Sequence, residues 1–187
     1  MVVTVRDSNQ QILKFNYEKN FKDNDFFISE SNKNIFDLLN LWPKWEKNFL
    51  NISGERYSGK THLIKIFLKK NSGISIDAKF LNNEKLKEVK LHQNIIIEDF
   101  DQNIDEKFAY TFFNFIEQEN KYLILTSTIP IVNMNFDLHD LKSRCKNFIL
   151  QDIGKPDDEL IFALMIKNLS DRQISLDKKL INYIIKR

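Results

Sequence analysis

A segment about a third of the way along the chain has the residue types and spacing of a phosphate-binding loop. It matches the pattern G-x-x-x-x-G-K-[ST] at every position. The matching residues, in order, are Gly54, Glu55, Arg56, Tyr57, Ser58, Gly59, Lys60 and Thr61. The two glycines let the backbone curl so that its N–H groups point at a phosphate, and the helix that follows adds the positive end of its dipole. In such loops the lysine reaches the β- and γ-phosphates and the threonine ligates Mg²⁺, so the segment predicts a nucleotide site.

Two acidic residues follow an apolar run further along the chain. Residues 95–97 are all isoleucine, and Glu98 and Asp99 come directly after them. A nucleotide site of this kind needs a carboxylate facing Thr61 to hold Mg²⁺ through water, and a neighbouring acid can orient the attacking water. Strand alternation predicts opposite faces for the two acids, with Glu98 on the metal side and Asp99 on the water side. The alternative is a pair of solvated acids at the end of a strand.

Elements that could position these residues alternate along the chain. Short apolar runs predict strands over residues 49–53, 73–77, 95–97, 122–125 and 147–150. Amphipathic or polar stretches predict helices over residues 31–41, 61–70, 78–91, 106–119, 138–144, 157–169 and 176–187. Strands that alternate with helices predict an α/β fold with a parallel five-stranded sheet flanked by helices. Its ligands are expected at the carboxyl ends of the strands.

Composition limits the classes of function. The chain has 187 residues, which suits one domain or one domain and part of a second. Its 28 basic and 26 acidic residues give a net charge of +2, which predicts no strong sequence-independent grip on nucleic acid. Cys145 is the only cysteine, so no intrachain disulfide is expected, and it is expected to be a packing residue. No signal pattern or membrane-length apolar run is evident, and we expect a cytoplasmic protein.

Four further segments resemble the DnaA/Hda family of AAA+ ATPases, most closely the shorter Hda-type regulators that inactivate DnaA. Residues 25–32 (D-F-F-I-S-E-S-N) resemble the family's segment near the adenine. Residues 60–63 read K-T-H-L, as in the family, and add His62 to the expected nucleotide-binding residues. Residues 125–128 (L-T-S-T), followed by Pro130, resemble its sensor 1 strand. Residues 138–144 (L-H-D-L-K-S-R) resemble the motif that ends in an arginine finger.

The resemblance implies roles for several residues and a division of the chain. Arg144 is expected to act as a catalytic finger on a neighbouring subunit's nucleotide, and Thr128 to be the sensor 1 residue. The family usually has Asp where this chain has Glu98 and Thr128, which predicts weak intrinsic hydrolysis of bound ATP. The expected cofactors are ATP or ADP with Mg²⁺. The expected divisions are an N-terminal tail (1–20), an AAA+ nucleotide-binding core (21–154) and the beginning of a helical lid (155–187).

The N-terminal tail carries a short pattern of its own. Gln10, Leu13 and Phe15 read Q-x-x-L-x-F, which is similar to the peptide by which bacterial proteins dock on the replicative sliding clamp. In such docking the two apolar side chains fill a pocket and the glutamine makes hydrogen bonds at its rim. The alternative is an edge strand whose Leu13 and Phe15 pack on the domain.

Three hypotheses for function follow. The first is an Hda-like regulator that binds adenine nucleotide, docks on the clamp and stimulates ATP hydrolysis by DnaA. Its partners are the DnaA initiator, the DNA polymerase sliding clamp, DNA reached indirectly through the clamp, and further copies of this chain, without a membrane. The second is a self-sufficient AAA+ ATPase, such as a helicase loader or a diverged DnaA initiator. The third is an adaptor with a relic phosphate loop.

Overall fold

The computed structural model describes residues 26–101 and 104–174. It contains one parallel sheet in the order β2-β3-β4-β1-β5. The strands are β1 (Phe49–Ser53), β2 (Gly73–Asp77), β3 (Asn94–Glu98), β4 (Tyr122–Ser127) and β5 (Ile149–Asp152). The helices are α1 (Lys33–Asn40), α2 (Lys60–Lys70), α3 (Lys85–Lys90), α4 (Glu106–Gln118), α5 (His139–Cys145) and α6 (Asp158–Asp171). The predicted α/β fold with five parallel strands between helices is confirmed.

Side chains of the central strands point alternately into two separate cores. In β3, Ile96 packs on the side of α1 and α2, whereas Ile95 and Ile97 pack on the side of α4 and α5. All three isoleucines are fully buried, as expected for a parallel strand covered on both faces. The first core is closed by Leu63, Ile64 and Phe67 of α2, and the second by Phe112, Phe113 and Ile116 of α4 with Leu141 and Cys145 of α5. Helices α2 and α5 therefore lie on opposite faces of the sheet.

The two tryptophans, Trp42 and Trp45, anchor the chain between α1 and the sheet. Trp45 is 8% exposed, and its indole N–H donates to the Leu38 carbonyl at 2.7 Å. Trp42 is half-buried and meets Phe67 and Tyr122 edge-on, with ring centroids 6.0 and 5.6 Å apart. These contacts fix the path of the chain into β1 and so into the loop that follows it.

The predicted helix over residues 78–91 is wrong for its first half. Residues 78–80 form a 3-10 turn that Asp77 caps by accepting the backbone N–H of Lys79 at 3.1 Å. The side chain of Asn82 accepts the N–H groups of Glu84 and Lys85, each at 3.0 Å, and restarts the chain as α3. Asx side chains compete with a continuous helix in this way. Val89 of α3 is fully buried and packs into the core on the α4 side of the sheet.

Helix α6 is the described part of the predicted lid. Asp157 caps it, because its carboxylate accepts the N–H of Leu160 at 2.7 Å. The rest of the predicted lid, residues 175–187, lies outside the described residues, as does the predicted tail, 1–20. No helix within 26–101 and 104–174 has the length and apolar character needed to cross a membrane.

Candidate functional site

The phosphate loop begins where β1 ends and closes where α2 begins. The N–H of Gly54 donates to the carbonyl of Ser127 at the end of β4, 3.2 Å away. A Cβ on Gly54 would come within 2.9 Å of Ser58 Oγ and 3.1 Å of Ile153 Cβ. Gly59 precedes α2 with φ of 101°, a left-handed conformation that favours glycine. Both glycines of the motif are thus required by the backbone, and the loop turns directly into the N-terminus of an eleven-residue helix.

The tip of the loop is open to solvent. Glu55, Arg56 and Tyr57 are exposed, and the side chain of Tyr57 is 95% exposed. Tyr57 also has φ of 67°, which a residue with a Cβ adopts at some energetic expense. The loop therefore presents the side chains of these three variable positions to solvent.

Lys60 lies in the mouth of the loop. Its residue surface is 7% exposed, and Nζ donates to the carbonyls of Gly54 at 2.7 Å and Glu55 at 2.8 Å. Burial lowers the pKa of Lys60, while the nearby carboxylates of Asp99 and Asp152 act in the opposite direction. An ammonium in this position is ready to exchange loop carbonyls for phosphate oxygens.

The two acids after β3 have different surroundings. Glu98 is the last residue of β3, half-buried, and its Oε1 accepts the Ser75 hydroxyl of β2 at 2.6 Å. Asp99 has left the strand with φ of 54°, and its carboxylate acts on Lys60. Strand alternation therefore applies to Glu98, which shares the α2 face with Ile96, but not to Asp99. The roles of metal-side and water-side acid remain predictions.

The end of β4 fixes the backbone around Asp99. The hydroxyl of Thr126 accepts the N–H of Asp99 at 3.1 Å, and the carbonyl of Thr126 accepts that of Phe100 at 2.8 Å. Thr128 lies just beyond β4 and is exposed at the same edge of the sheet. The structure thus brings the predicted sensor residue to the strand that neighbours the phosphate loop.

The segment over residues 26–32 folds against the phosphate loop. The ring of Phe26 stacks on Phe36 at 6.0 Å and meets the ring of His62 edge-on at 5.2 Å. Asn32 is 4% exposed; its amide donates to the Phe27 carbonyl, and its oxygen accepts the Ser29 N–H, both at 3.0 Å. The rings of Phe26, Phe36 and His62 therefore form an aromatic cluster beside the loop. Asp25, the first residue of the predicted adenine segment, lies outside the described residues.

The residues present fit a nucleoside polyphosphate. Ser58 Oγ is buried inside the loop, and no hydrogen-bond partner for it is found among the described residues. Together with Lys60 and the N-terminus of α2, it offers donors suited to phosphate oxygens.

Thr61 is exposed in the first turn of α2, where its hydroxyl can ligate Mg²⁺. Within 26–101 and 104–174, no cluster of three or more His, Cys, Asp or Glu could hold a metal by itself. Mg²⁺ typically relies on phosphate and water for most of its ligands.

Arg144 lies away from this edge, in the last turn of α5. Its side chain is 28% exposed, and its Nη1 donates to the carboxylate of Glu117 on α4. An open hollow beside it is lined by Tyr110, Asp140, Ser143, Arg144 and Asn147. Because α5 and α2 cover opposite faces of the sheet, the structure does not bring Arg144 together with Lys60.

The neighbouring Cys145 is 1% exposed, and burial raises its pKa to about 12, so its role as a packing residue is confirmed.

Two residues at the site were not predicted. Asp152 ends β5, where it accepts the Ser53 hydroxyl at 2.6 Å and acts on Lys60. Asn51 is buried in β1 and bonds to the end of β4. The sequence carried a signal for each: an acid at a strand end, and one amide within an apolar strand. The predicted clamp residues Gln10, Leu13 and Phe15 lie outside the described residues.

Comparisons with known proteins point in one direction. No protein-family model matches the chain. The chromosomal replication initiator protein DnaA of Borreliella afzelii (strain PKo) is 24% identical over 197 aligned positions, which cover 91% of this chain and 40% of that protein. The chain thus spans well under half the length of the curated relatives that it matches.

DnaA proteins are also among the solved structures that share this fold. Domain III of the Thermotoga maritima replication initiation protein DnaA superimposes with a TM-score of 0.70 at 20% identity, covering 90% of this chain and 81% of that one. AMPPCP-bound DnaA from Aquifex aeolicus gives 0.67 at 21% identity, covering 87% and 58%. The fold is that of the AAA+ domain of DnaA, and the sequence is DnaA-like.

Proposed function

We propose that this chain is a cytoplasmic regulator of chromosomal replication initiation, which binds an adenine nucleotide with Mg²⁺ and stimulates ATP hydrolysis by the initiator DnaA. One observation carries the proposal: the phosphate loop and a partly exposed arginine lie on different parts of the same domain. An arginine that served its own nucleotide would have to lie beside α2, and Arg144 lies on the other face of the sheet. This separation supports action on a nucleotide held by a neighbour.

The nucleotide half of the proposal rests on the loop and on the comparisons. Lys60, Ser58 and the N-terminus of α2 converge where phosphates bind, and Phe26 and His62 lie beside them. A solved DnaA of the same fold holds AMPPCP, which supports an adenine nucleotide here. In this proposal Lys60 binds the β- and γ-phosphates, Thr61 and Glu98 hold Mg²⁺, and Asp99 orients water.

Intrinsic turnover is expected to be too slow to be the main function. Glu98 and Thr128 stand where the DnaA/Hda family usually has Asp, and the Glu98 carboxylate is engaged by Ser75. We expect fewer than about one hydrolysis event per minute, compared with about 1–100 s⁻¹ for dedicated phosphoryl-transfer enzymes. The measurement is steady-state phosphate release from Mg²⁺–ATP, with Lys60→Ala as the background control. Several events per second would favour the alternative of a self-sufficient ATPase.

That alternative has an observation in its favour. Asp99 lies close enough to Lys60 to act on its pKa, as a catalytic carboxylate beside a bound triphosphate would. A helicase loader or diverged initiator would use it to hydrolyse its own ATP within an oligomer. The turnover assay separates the two functions directly, because a regulator needs bound nucleotide but not rapid hydrolysis.

Docking on the sliding clamp is the second part of the proposal, and its evidence is the sequence of the tail. Replacing Leu13 and Phe15 together with alanine should abolish clamp binding and leave the melting temperature unchanged. Burying each apolar side chain contributes about 1.5–3 kcal/mol, so the double change should weaken binding by two or more decades. The measurement is a titration of the chain with purified clamp.

The matched control is Lys14→Ala, which lies between the two apolar residues and should bind the clamp normally. If the double variant instead melts at a lower temperature and keeps its clamp affinity, then Leu13 and Phe15 belong to an edge strand packed on the domain. That result would remove the clamp from the list of partners.

A further inference from the structure

A buried amide side chain lies in the middle of the strand that leads into the phosphate loop. Asn51 is 1% exposed and lies between the fully buried Leu50 and Ile52. Its side chain points to the α4–α5 face, opposite to those two neighbours. A buried amide without hydrogen bonds destabilises the folded state considerably, so its partners show what it does there.

The hydrogen-bonding groups of Asn51 are all directed at β4 and the segment after it. Its amide donates to Ser127 Oγ at 2.8 Å and to the Leu125 carbonyl at 3.3 Å. Its oxygen accepts the backbone N–H of Ile131 at 2.8 Å. Ser127 Oγ in turn donates to the Ile129 carbonyl at 2.7 Å. The amide is thus satisfied entirely by one short piece of chain.

These bonds hold both ends of the segment 128–130. The relay through Ser127 fixes the segment at Ile129, and the bond to Ile131 fixes the residue that follows it. Thr128 lies between Ser127 and Ile129, the two residues that the Ser127 hydroxyl joins, and it is exposed at the edge of the sheet where the phosphate loop lies. The backbone of Ser127 also accepts the N–H of Gly54, the first residue of that loop, at 3.2 Å. Thr128 therefore directly follows a residue that is bonded both to the first residue of the loop and to Asn51 of the strand that leads into it.

We propose that Asn51 is a positioning residue that sets Thr128 at the distance of the terminal phosphate and so lets the site distinguish ATP from ADP. The proposal rests on nucleotide binding at the phosphate loop, as proposed above. Asn51 itself is buried below the sheet edge and acts only through Ser127 and the segment 128–130. Because ADP lacks the γ-phosphate, a displaced Thr128 weakens the binding of ATP and not that of ADP.

A purely structural role would leave a different signature. Loss of the buried hydrogen bonds would lower the stability of the domain and change the affinities for ADP and for a triphosphate by the same factor. The ratio of the two affinities therefore separates positioning from general destabilisation.

The test is a titration of Asn51→Leu, with Mg²⁺–ADP and with Mg²⁺–AMPPCP, an analogue that is not hydrolysed. Loss of one hydrogen bond to the γ-phosphate corresponds to about a tenfold loss of affinity. We therefore expect AMPPCP affinity to fall about tenfold and ADP affinity to stay within about twofold. Ser127→Ala is a milder change that breaks the same relay, and we expect the same selective loss from it if the leucine variant does not fold.

Two further variants complete the design. Thr128→Ala should reproduce the selective loss, and adding Asn51→Leu to it should cause no further selective loss, because both changes remove the same interaction. Asn94→Leu is the matched control: Asn94 is 2% exposed at the amino end of β3, and its amide donates to the Ser72 carbonyl at 2.8 Å. Asn94→Leu should lower stability without changing the ratio of affinities.

The outcomes distinguish this proposal from the one it rests on. If the wild-type chain binds neither nucleotide, the proposal that the loop binds nucleotide is wrong, and the proposed role of Asn51 is then also wrong. If the wild type binds both, and Asn51→Leu or Ser127→Ala changes the two affinities equally or not at all, only the positioning role is overturned.

Discussion

Replacing Arg144 with alanine should abolish the stimulation of DnaA while leaving the chain's own properties nearly unchanged. A guanidinium can stabilise the charge that spreads over a transferring phosphoryl group through several donors at once. Arginine fingers contribute about 10³–10⁵ in rate in well-studied switches, so stimulation should fall to the background. The measurement is hydrolysis of labelled ATP preloaded on DnaA, with DNA-loaded clamp present.

Nucleotide affinity and stability should survive this change because of where Arg144 lies. It is on the face of the sheet opposite α2, and its ion pair with Glu117 is partly exposed, with side-chain exposures of 28% and 51%. Pairs of this kind contribute about 0–1 kcal/mol. Arg144→Lys should also fail, because an ammonium lacks the planar fork of donors.

Two controls separate the finger from its surroundings. Glu117→Gln removes the charge of the partner but keeps the arginine, so it should keep stimulation. Lys142→Ala removes a neighbouring cation on the same helix and should also be active. Full stimulation by Arg144→Ala would refute the finger, and loss of the variant's own nucleotide binding would show that Arg144 acts within its own subunit.

Replacing Lys60 with alanine should remove most of the nucleotide affinity. Nζ is held in the mouth of the loop by the carbonyls of Gly54 and Glu55, where we expect it to meet phosphate oxygens. A hydrogen bond to a charged group contributes about 1.5–3 kcal/mol, and two phosphates share the ammonium, so affinity should fall by about two decades or more. Calorimetric titration with Mg²⁺–ADP and Mg²⁺–ATP measures the loss directly.

Lys69→Ala is the matched control for this change. Lys69 lies in the last turn of the same helix, away from the loop, and its removal should leave the affinity unchanged. An unaltered titration of Lys60→Ala would mean that the loop does not bind phosphates, whatever its sequence.

The sheet could be predicted from the sequence because its strands are short runs that contain apolar residues and alternate with amphipathic or polar stretches. Residues 49–53 and 73–77 were predicted with the bounds that the structure has. The fifth strand was placed two residues early, because Asn147 and Phe148 still hydrogen-bond back to Arg144 and Cys145 of α5. Its true end, Gln151 and Asp152, is polar and becomes strand only by pairing with β1.

The parts of the site that depend on tertiary contacts could not be predicted. Asn51 and Ser127 are far apart in sequence and meet only because β1 and β4 pair in register. Asp99 was expected to continue strand alternation, but its backbone is left-handed and its N–H donates to Thr126 on another strand. By contrast, the phosphate loop depends on residues that are close together in the sequence, since Gly54, Gly59 and Lys60 belong to one short motif. The motif was therefore enough to predict the loop.

The most direct test of the account is one hydrolysis measurement. DnaA preloaded with labelled ATP is mixed with DNA-loaded clamp, with and without this chain bound to Mg²⁺–ADP or Mg²⁺–ATP, and the conversion of DnaA-bound ATP to ADP is followed. We expect conversion to be faster by about 10³-fold or more when the chain is present. An unchanged rate of conversion, together with rapid hydrolysis of ATP by the chain alone, would contradict the regulatory function and identify a self-sufficient ATPase.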